Sequence, residues 1–280
     1  MMNEFRPARF QVLPNIVKNL IIINVIMVVL QFILARTFHI NLQDYLALHY
    51  WRSPLFRPWQ LLTHIFMHGS PFDLQATALH LFSNMFALWM FGNILEHRWG
   101  PKRFLIFYLI CGVGAALCFM AVQAIDLEPL YKSYLIFKDN PTLDYYQQFL
   151  TKNGLSRLPS ELMDWNTDPG NLQYSARAVA ETTVRVNVKL NSPMVGASGA
   201  VYGILFAFGY LFPNTELMLI FPPIPIKAKY MVGFYALFEL YTAFQNDPND
   251  NVAHVAHLGG MLVAFILLKF WFQRQRHHFY

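Results

Sequence analysis

Long apolar segments separated by polar loops dominate the chain. Six of them approach the ~20 residues that a helix needs to cross the hydrocarbon core of a bilayer, namely residues 17–35, 79–95, 104–125, 194–212, 230–245 and 252–272. The pattern therefore predicts an all-α polytopic membrane protein with six transmembrane helices. A further apolar stretch, residues 217–223, is too short to cross and is broken by prolines, so we predict an interfacial loop there.

Composition agrees with a bilayer environment. Charged residues make up 13% of the chain, against about 25% in a typical soluble domain, and the mean hydropathy is +0.32. The net charge is +5, but Lys and Arg are dispersed between the apolar segments, which is typical of cytoplasmic loops and not of a nucleic-acid surface. We expect the lipid bilayer as a partner and no nucleic acid.

The distribution of Lys and Arg also predicts the orientation. Most of them lie near the chain ends and in alternate short loops, whereas the opposite side holds Arg52 and Arg57, so both termini are predicted to be cytoplasmic. The first apolar segment follows Arg6 and Arg9 without a small-residue cleavage site, which predicts a retained helix and not a removed signal peptide. No mitochondrial presequence is evident. We expect a multi-pass protein of the bacterial inner membrane.

The long segment after the third span has mixed charge and little periodicity. We predict a cytoplasmic segment (residues 1–16), helices 1–3 with an external first loop (17–125), an external insertion (126–193), helices 4–6 (194–272) and a cytoplasmic tail (273–280). Residues 145–151 and 176–188 can form short helices within the insertion. A partly ordered subdomain and a flexible insertion both fit its composition.

The stretch VGASGAVYG, residues 195–203, places Ser198 between two glycines near the start of the fourth span. A serine in such a position usually bonds only to its own helix. It becomes a candidate nucleophile if a base can accept its proton. In the predicted topology His257, near the external end of the sixth span, lies at the same depth.

Glycines offer a way for these two helices to meet, because they let helix backbones approach closely in membranes. They are Gly196, Gly199 and Gly203 on the fourth span and Gly259 and Gly260 on the sixth. Close packing there would bring the Ser198 hydroxyl within reach of the His257 imidazole. Tyr202, one turn below the serine, can pack on that ring.

Two further polar residues share this depth on the second span. His80 and Asn84 are four residues apart and so lie on one helix face. With the backbone N–H of Ser198 they are candidate donors to an oxyanion.

Other polar residues allow different interpretations. Five histidines are predicted on the external side, namely His64, His68, His80, His254 and His257. They suggest a metal site, but there is no HExxH sequence and no carboxylate at a matching spacing. Glu239 in the fifth span is either a buried acid bonded to a neighbouring hydroxyl or a proton-relay group of a small transporter. Cys111 and Cys118 are interpreted as buried thiols. We predict no metal and no cofactor.

Three motifs together resemble the signature of the rhomboid intramembrane serine proteases. They are GASGAVYG, HLFSN at residues 80–84 and AHLGG at residues 256–260, in the order and on the spans that the family uses. THIFMH at residues 63–68 and EHRWG at residues 96–100 also resemble the family. The resemblance runs from the first span to the sixth and omits the 126–193 insertion.

The resemblance implies an endopeptidase that cleaves membrane proteins in or near a transmembrane segment. Ser198 would be the nucleophile and His257 the general base of a dyad with no third, acidic member, and His80 and Asn84 would hold the oxyanion. His254 is a second candidate base, but the family's base is the histidine that precedes the glycine pair. Substrates would have small residues at the cut and a helix that unwinds easily.

Two departures from the family stand in the chain. The family often has Trp-Arg just before the THxxxH stretch, where this chain has Trp59-Gln60, with Trp51-Arg52 earlier. The insertion upstream of Ser198 is also outside the family's common core. Two alternatives to the protease are a catalytically inactive rhomboid-like factor that binds membrane proteins, and a transporter that uses Glu239, although no paired broken helices are evident.

Overall fold

The structure, a computed structural model, describes residues 13–155, 164–218, 223–245 and 253–276. Within these ranges the chain forms eleven α-helices and one two-stranded antiparallel sheet. They are α1 (Asn15–Thr37), α2 (Gln43–Leu46), α3 (Gln60–Thr63), α4 (Leu74–Ala87), α5 (Asn93–Trp99), α6 (Pro101–Asp139), α7 (Leu143–Lys152), α8 (Leu172–Leu190), α9 (Ser198–Leu211), β1 (Glu216–Met218), β2 (Pro225–Lys227), α10 (Ala228–Gln245) and α11 (His254–Arg276). A π-helical turn, Leu88–Gly92, joins α4 to α5.

Four helices among the described residues are long and apolar enough to cross a membrane: Asn15–Thr37, Leu74–Trp99, Pro101–Asp139 and His254–Trp271. The predicted polytopic, mostly helical class is confirmed. The number of six spans stays a prediction, because α9 is about 21 Å long at 1.5 Å per residue, less than a hydrocarbon core of about 30 Å. Helix α10 is not among the four either.

Two boundaries differ from the sequence prediction. Helix α6 continues past residue 125 to Asp139, through Pro129, because Leu127, Leu130 and Phe137 recur on one face and join a buried cluster. Helix α9 begins at Ser198 and not at residue 194, because Gly196 has a φ of +122°, which no helix accommodates. The predicted loop at 217–223 lies partly outside the described residues, and its described ends belong to β1 and precede β2.

The chain divides into two compact units. The first comprises Met1–Leu48, Trp59–Phe119 and Met194–Tyr280, and the second comprises His49–Pro58 and Met120–Pro193. The core of the first unit is formed by apolar side chains from its long helices, including Leu88, Phe107, Ile204 and Phe208. Large apolar side chains on the outer faces of these helices are exposed, for example Ile26 on α1, as a lipid-facing surface requires.

The second unit has an aromatic core of its own. Trp165, Tyr146 and Phe149 are buried there with side chains from α6 and α8. Helices α7 and α8 contain the two short helices predicted at 145–151 and 176–188. Their N-cap residues are Thr142 and Asn171, whose side chains accept hydrogen bonds from backbone N–H groups. The described part of the insertion is therefore ordered.

Glu128 on α6 explains the early Trp-Arg pair. Its carboxylate accepts hydrogen bonds from Tyr50 Oη at 3.0 Å, Trp51 Nε1 at 3.1 Å and Arg52 Nε at 2.9 Å. Trp51-Arg52 thus belongs to the second unit, with Glu128. Trp59 instead donates through Nε1 to the carbonyl of Tyr45, at 3.0 Å.

Glu96 of the EHRWG motif caps the amino end of α1. Glu96 on α5 is buried and accepts the backbone N–H groups of Ile16 at 3.0 Å and Val17 at 2.8 Å. These amides lack acceptors within their own helix, and Pro14 before them has no side-chain acceptor to offer. The Glu96 carboxylate therefore satisfies the start of the first membrane helix.

Candidate active site

A glycine turn presents Ser198 at the first residue of α9. The positive φ of Gly196 is in the region that L side chains rarely adopt, and the Gly196 amide donates to the carbonyl of His64 at 3.0 Å. A Cβ on Gly196 would lie 3.0 Å from Cε1 and Nε2 of His80 and 3.6 Å from Ser198 Oγ. The turn therefore leaves room for the His80 ring beside the serine.

Helices α9 and α11 touch through their backbones next to the serine. A Cβ on Gly260 would lie 1.9 Å from the carbonyl oxygen of Gly199, and one on Gly203 would lie 3.2 Å from the carbonyl oxygen of Gly260. Gly199 and Gly203 also accommodate α6, because their added Cβ atoms would lie 2.5 Å from Ala115 Cβ and 2.8 Å from Cys111 Sγ. No larger residue fits at these positions without moving a helix.

The helix contact brings the serine to a histidine. His257 Nε2 lies 2.8 Å from Ser198 Oγ, a hydrogen-bond distance. The side chain of His257 is buried, and its ring stacks on Tyr202 with centroids 4.2 Å apart and planes inclined by 6°. The tyrosine thus covers one face of the imidazole and limits its rotation.

An acidic residue lies beside the same histidine, contrary to the expectation of a base without one. Glu239 Oε2 on α10 is 2.9 Å from His257 Nδ1 and 2.6 Å from His254 Nδ1, and Glu239 Oε1 accepts a hydrogen bond from the Tyr202 hydroxyl. His257 Nδ1 does not form a hydrogen bond of regular geometry with a described residue, so its approach to Glu239 is a close polar contact. The expectation is wrong because Glu239 belongs to a different helix, α10. Its closeness to His257 depends on how the helices pack and cannot be read from the spacing of residues along the chain.

The two candidate oxyanion donors lie on α4. The ring of His80 lies against Gly196, and Asn84 is buried. Asn84 donates through Nδ2 to the carbonyl of His80 at 2.9 Å. An amide nitrogen has two hydrogens, so one remains for a further acceptor.

His64 and His68, from the THIFMH stretch before α4, support the site from outside it. His64 Nδ1 lies 2.9 Å from the carbonyl of Gln60, and the carbonyl of His68 accepts from Gln31 Nε2 at 2.9 Å. Burial lowers the pKa of His64 to about 4 and that of His68 to about 3, with the charge of His80 contributing to the second shift. Both rings are therefore neutral at physiological pH, and His68 packs edge-on against His80 with centroids 5.1 Å apart.

Of the five histidines considered for a metal site, His254 and His257 meet Glu239 in a cluster whose donor atoms lie within 4.8 Å of one another. Two imidazoles and a carboxylate are a donor set that zinc uses in proteins. However, donors that share a tetrahedral zinc ion lie about 3.3 Å apart, given metal–ligand bonds of about 2.0–2.1 Å. The separations of 2.6 and 2.9 Å here are those of groups that interact directly.

The two histidines of α11 both contact Glu239 through Nδ1. They differ in that His257 also contacts the serine, through Nε2. The sequence indicated Glu239 as an acid within an apolar span that could bond to a neighbouring hydroxyl, and the Tyr202 hydroxyl forms that bond. Its contacts required the helix arrangement, and the other polar residues of the site were all recognisable from their motifs.

Comparison with known proteins agrees with the motifs. A family model described as the rhomboid domain matches residues 55–127 and 172–274, together more than half of the chain. An uncharacterised mitochondrial rhomboid protein of Schizosaccharomyces pombe is 27% identical over 228 residues, which cover 78% of this chain and 53% of that protein.

A second relative is rhomboid protein 1, a mitochondrial protein of Saccharomyces cerevisiae. It is 35% identical over 91 residues, which cover 30% of this chain and 25% of that protein. The chain thus spans about half the length of the first relative and a quarter of the second. Both names state a mitochondrial location, in conflict with the bacterial inner membrane expected from the sequence.

Proposed function

The chain belongs to the rhomboid family, and on that basis we propose that it is an intramembrane serine endopeptidase that cleaves membrane proteins in or near a transmembrane segment. The observation that carries the proposal is the 2.8 Å contact between Ser198 Oγ and His257 Nε2. The contact joins two helices that meet through glycines, in a bundle whose outer surface is apolar. A serine beside a histidine is the arrangement of an activated nucleophile.

The proposed reaction begins when His257 Nε2 accepts the Ser198 proton. Oγ then attacks the carbonyl carbon of the substrate, and the electron pair of the carbonyl moves to its oxygen. His257 donates the proton to the leaving amine, and water releases the acyl group by the same steps with the histidine again as base. The chemistry requires no cofactor.

Three groups are proposed to hold the oxyanion. They are the side chains of His80 and Asn84 and the backbone N–H of Ser198, which starts α9 and so has no acceptor within that helix. Donors aimed at a developing negative charge are commonly the largest contribution to catalysis. The positive end of the helix dipole at Ser198 acts in the same direction.

Substrates are proposed to be single-span or multi-span membrane proteins. By the family resemblance, their cleavage sites have small residues and lie in helices that unwind easily. The site is proposed to open to the external side, with both termini in the cytoplasm or its equivalent, since Lys and Arg are concentrated near the chain ends. Labelling of cysteines introduced into the loops of intact membranes would test this topology.

The membrane that houses the protein is a separate proposal. The mitochondrial names of the two relatives favour a mitochondrial membrane over the bacterial inner membrane that we expected from the sequence. The remaining length of those relatives is not matched by this chain, so their locations do not transfer by themselves. Immunodetection in purified membrane fractions of the source cells would decide between the two.

Cleavage of a single-span substrate with small residues near one membrane face tests the function. The purified wild-type protein in lipid nanodiscs should cleave it, and Ser198→Ala and His257→Ala should each reduce cleavage to background. Ser175→Ala, which removes an exposed hydroxyl of α8, is the matched control and should retain full activity. Equal cleavage by wild type and Ser198→Ala would contradict the proposal.

The alternative is an inactive rhomboid-like protein that binds other membrane proteins. A fluorophosphonate probe, which reacts only with an activated serine, separates the two functions. We expect labelling of the wild type and none of Ser198→Ala. Absence of labelling in a folded wild-type protein would favour the binding factor.

A further inference from the structure

Glu239 is a buried carboxylate that the dyad mechanism leaves without a role. Its relative exposure is 2%, and it projects from α10 towards two other helices, where it meets Tyr202 of α9 and His254 and His257 of α11. A buried charge is costly unless it is paired. Among the described residues, the groups that pair with Glu239 belong to the candidate site or contact it.

The position of Glu239 on α10 is set by helix periodicity. The buried residues of this helix are Ala228, Val232 and Glu239, at separations of four and seven residues that keep them on one face. Neighbouring side chains such as Leu237 and Phe244 are exposed on the outer faces. Glu239 is thus the polar member of an otherwise apolar buried face, and that face places it at His257.

The two nitrogens of the His257 ring have separate partners. Nε2 contacts Ser198 Oγ at 2.8 Å, and Nδ1 contacts Glu239 Oε2 at 2.9 Å. A neutral imidazole has one N–H and one acceptor nitrogen. A carboxylate at Nδ1 favours the proton there, which leaves Nε2 free to accept from the serine.

We propose that Glu239 is a positioning residue of the protease reaction, which holds His257 in the Nδ1–H tautomer and stabilises the imidazolium that forms when Ser198 attacks. The inference rests on the proposed protease function. In the step concerned, the Ser198 proton moves to Nε2, and Nδ1 keeps its own proton. Glu239 stays ionised throughout, as the acid of a serine protease triad does.

Tyr202 links the two contacts of the ring. Its ring stacks on His257 at 4.2 Å, while its hydroxyl donates to Glu239 Oε1. The tyrosine thereby fixes one carboxylate oxygen and leaves Oε2 for the two imidazoles. One aromatic side chain therefore orients both the base and the acid.

Other titratable groups face His257 and must be considered in any pH measurement. They are Glu239 from α10, His254 from α11 itself, Tyr202 from α9, with Tyr235 of α10 packed on it at 6.4 Å, and His80 from α4. Of these only Glu239 is an acid. Its removal is therefore the change that alters the charge beside Nδ1 without altering the shape of the site.

Glu239→Gln, an isosteric change, tests the proposal against Glu216→Gln, which removes the exposed carboxylate of β1. Both variants are compared with wild type in the nanodisc cleavage assay from pH 5 to 9. We expect Glu239→Gln to lower kcat by about 100-fold or more with little change in KM, as loss of a triad acid does. The acidic limb of its pH–rate profile should also move to lower pH, because the imidazolium loses its neighbouring charge.

A purely structural role for Glu239 gives a different result. It would lower the activity of Glu239→Gln at every pH without moving the limb, and this result would overturn the proposal. So would an unchanged kcat. An inactive wild type would instead count against the protease function itself, which separates the two failures.

A second measurement uses the wild-type protein and so does not depend on the folding of the variant. In protein labelled with [15N]histidine, NMR assigns the His257 tautomer, with His257→Gln to identify the signal. We expect the proton on Nδ1 at neutral pH. A proton on Nε2 in the resting protein would contradict the proposal, whether or not the substrate is cleaved.

Discussion

A Cβ atom on Gly260 would lie 1.9 Å from the carbonyl oxygen of Gly199, so the backbones of α11 and α9 are in contact at this point. The contact lies one residue from Ser198 on one helix and three residues from His257 on the other. The serine–histidine distance is therefore set by two main chains. A side chain at either glycine would separate the helices and with them the two reacting groups.

Gly260→Ala should destabilise the protein and slow catalysis. Overpacking of this kind costs about 1–3 kcal/mol, and the helices can relieve it only by moving apart. The matched control is Gly233→Ala on α10, where an added Cβ meets nothing within 4 Å, so a neutral or slightly stabilising effect is expected. Thermal unfolding and the rate of fluorophosphonate labelling measure the two effects. Equal melting temperatures and labelling rates in the two variants would contradict the backbone contact between α9 and α11.

Gly196→Ala should impair the site more than it impairs the fold. The substitution places a methyl group 3.0 Å from the ring of His80 and strains a backbone at φ +122°, whereas Gly154→Ala meets only the strain, at φ +68° in open space. We expect kcat to fall about 100-fold in the first variant, in line with the loss of one oxyanion donor. Gly154→Ala should cleave like the wild type. A similar kcat for both would indicate that His80 does not contribute to the oxyanion site.

His254 and His257 should differ sharply in their effect on cleavage. His257→Asn removes the group that contacts Ser198 Oγ, whereas His254→Asn removes one partner of Glu239. We expect background cleavage from the first variant and a loss of less than about tenfold from the second, since general base catalysis commonly contributes 10²–10⁴-fold. Loss of cleavage only in His254→Asn would assign the base to His254.

The thermal stability of the protein should fall as the pH is lowered from about 6.5 towards 4. Burial lowers the pKa of folded His64 to about 4, against about 6.5 in the unfolded chain. The unfolded state therefore binds more protons in this window, so the stabilisation present above pH 6.5 decreases on acidification. For His64 alone the loss is about 2 kcal/mol at pH 5.

His68 provides the matched variant for this pH effect. Burial lowers its pKa to about 3, and its ring nitrogens have no hydrogen-bond partner among the described residues, so His68→Phe should fold and lose part of the acid sensitivity. Melting temperatures in detergent at pH 5 and pH 7.5 measure the change. Identical values for the wild type at the two pH values would contradict the prediction.

The sequence predicted best those features that depend on residues within a single helix. The apolar run of α1 and the glycines of α9 and α11 can be recognised from composition and spacing. Together with the predicted depth of Ser198 and His257 in the membrane, the glycines indicated that these two residues are in contact. The end of α6 was missed because hydropathy decreases at residue 125 while packing, not lipid, stabilises the remaining turns. The start of α9 was missed because the apolar pattern continues through Gly196, whose φ ends any helix.

The contacts of Glu239 could not be predicted from the spacing of residues along the chain. It lies 15 residues before His254 and 18 before His257, separated from them by the end of one helix and the start of another. Only the packing of α10 on α9 and α11 brings its carboxylate to the imidazoles. A buried acid in an apolar helix indicates a function, but its partners follow from tertiary structure.

The bond between Glu96 and the start of α1 imposes an order on the assembly of the protein. The amides of Ile16 and Val17 find their acceptor in a residue about 80 positions later, so α1 leaves the ribosome before that acceptor exists. It gains its cap only after α4 and α5 have been synthesised and have returned beside it. Helix α1 is therefore fixed in register by a helix that is made after it, and Glu96→Gln should delay this step more than it weakens the finished bundle.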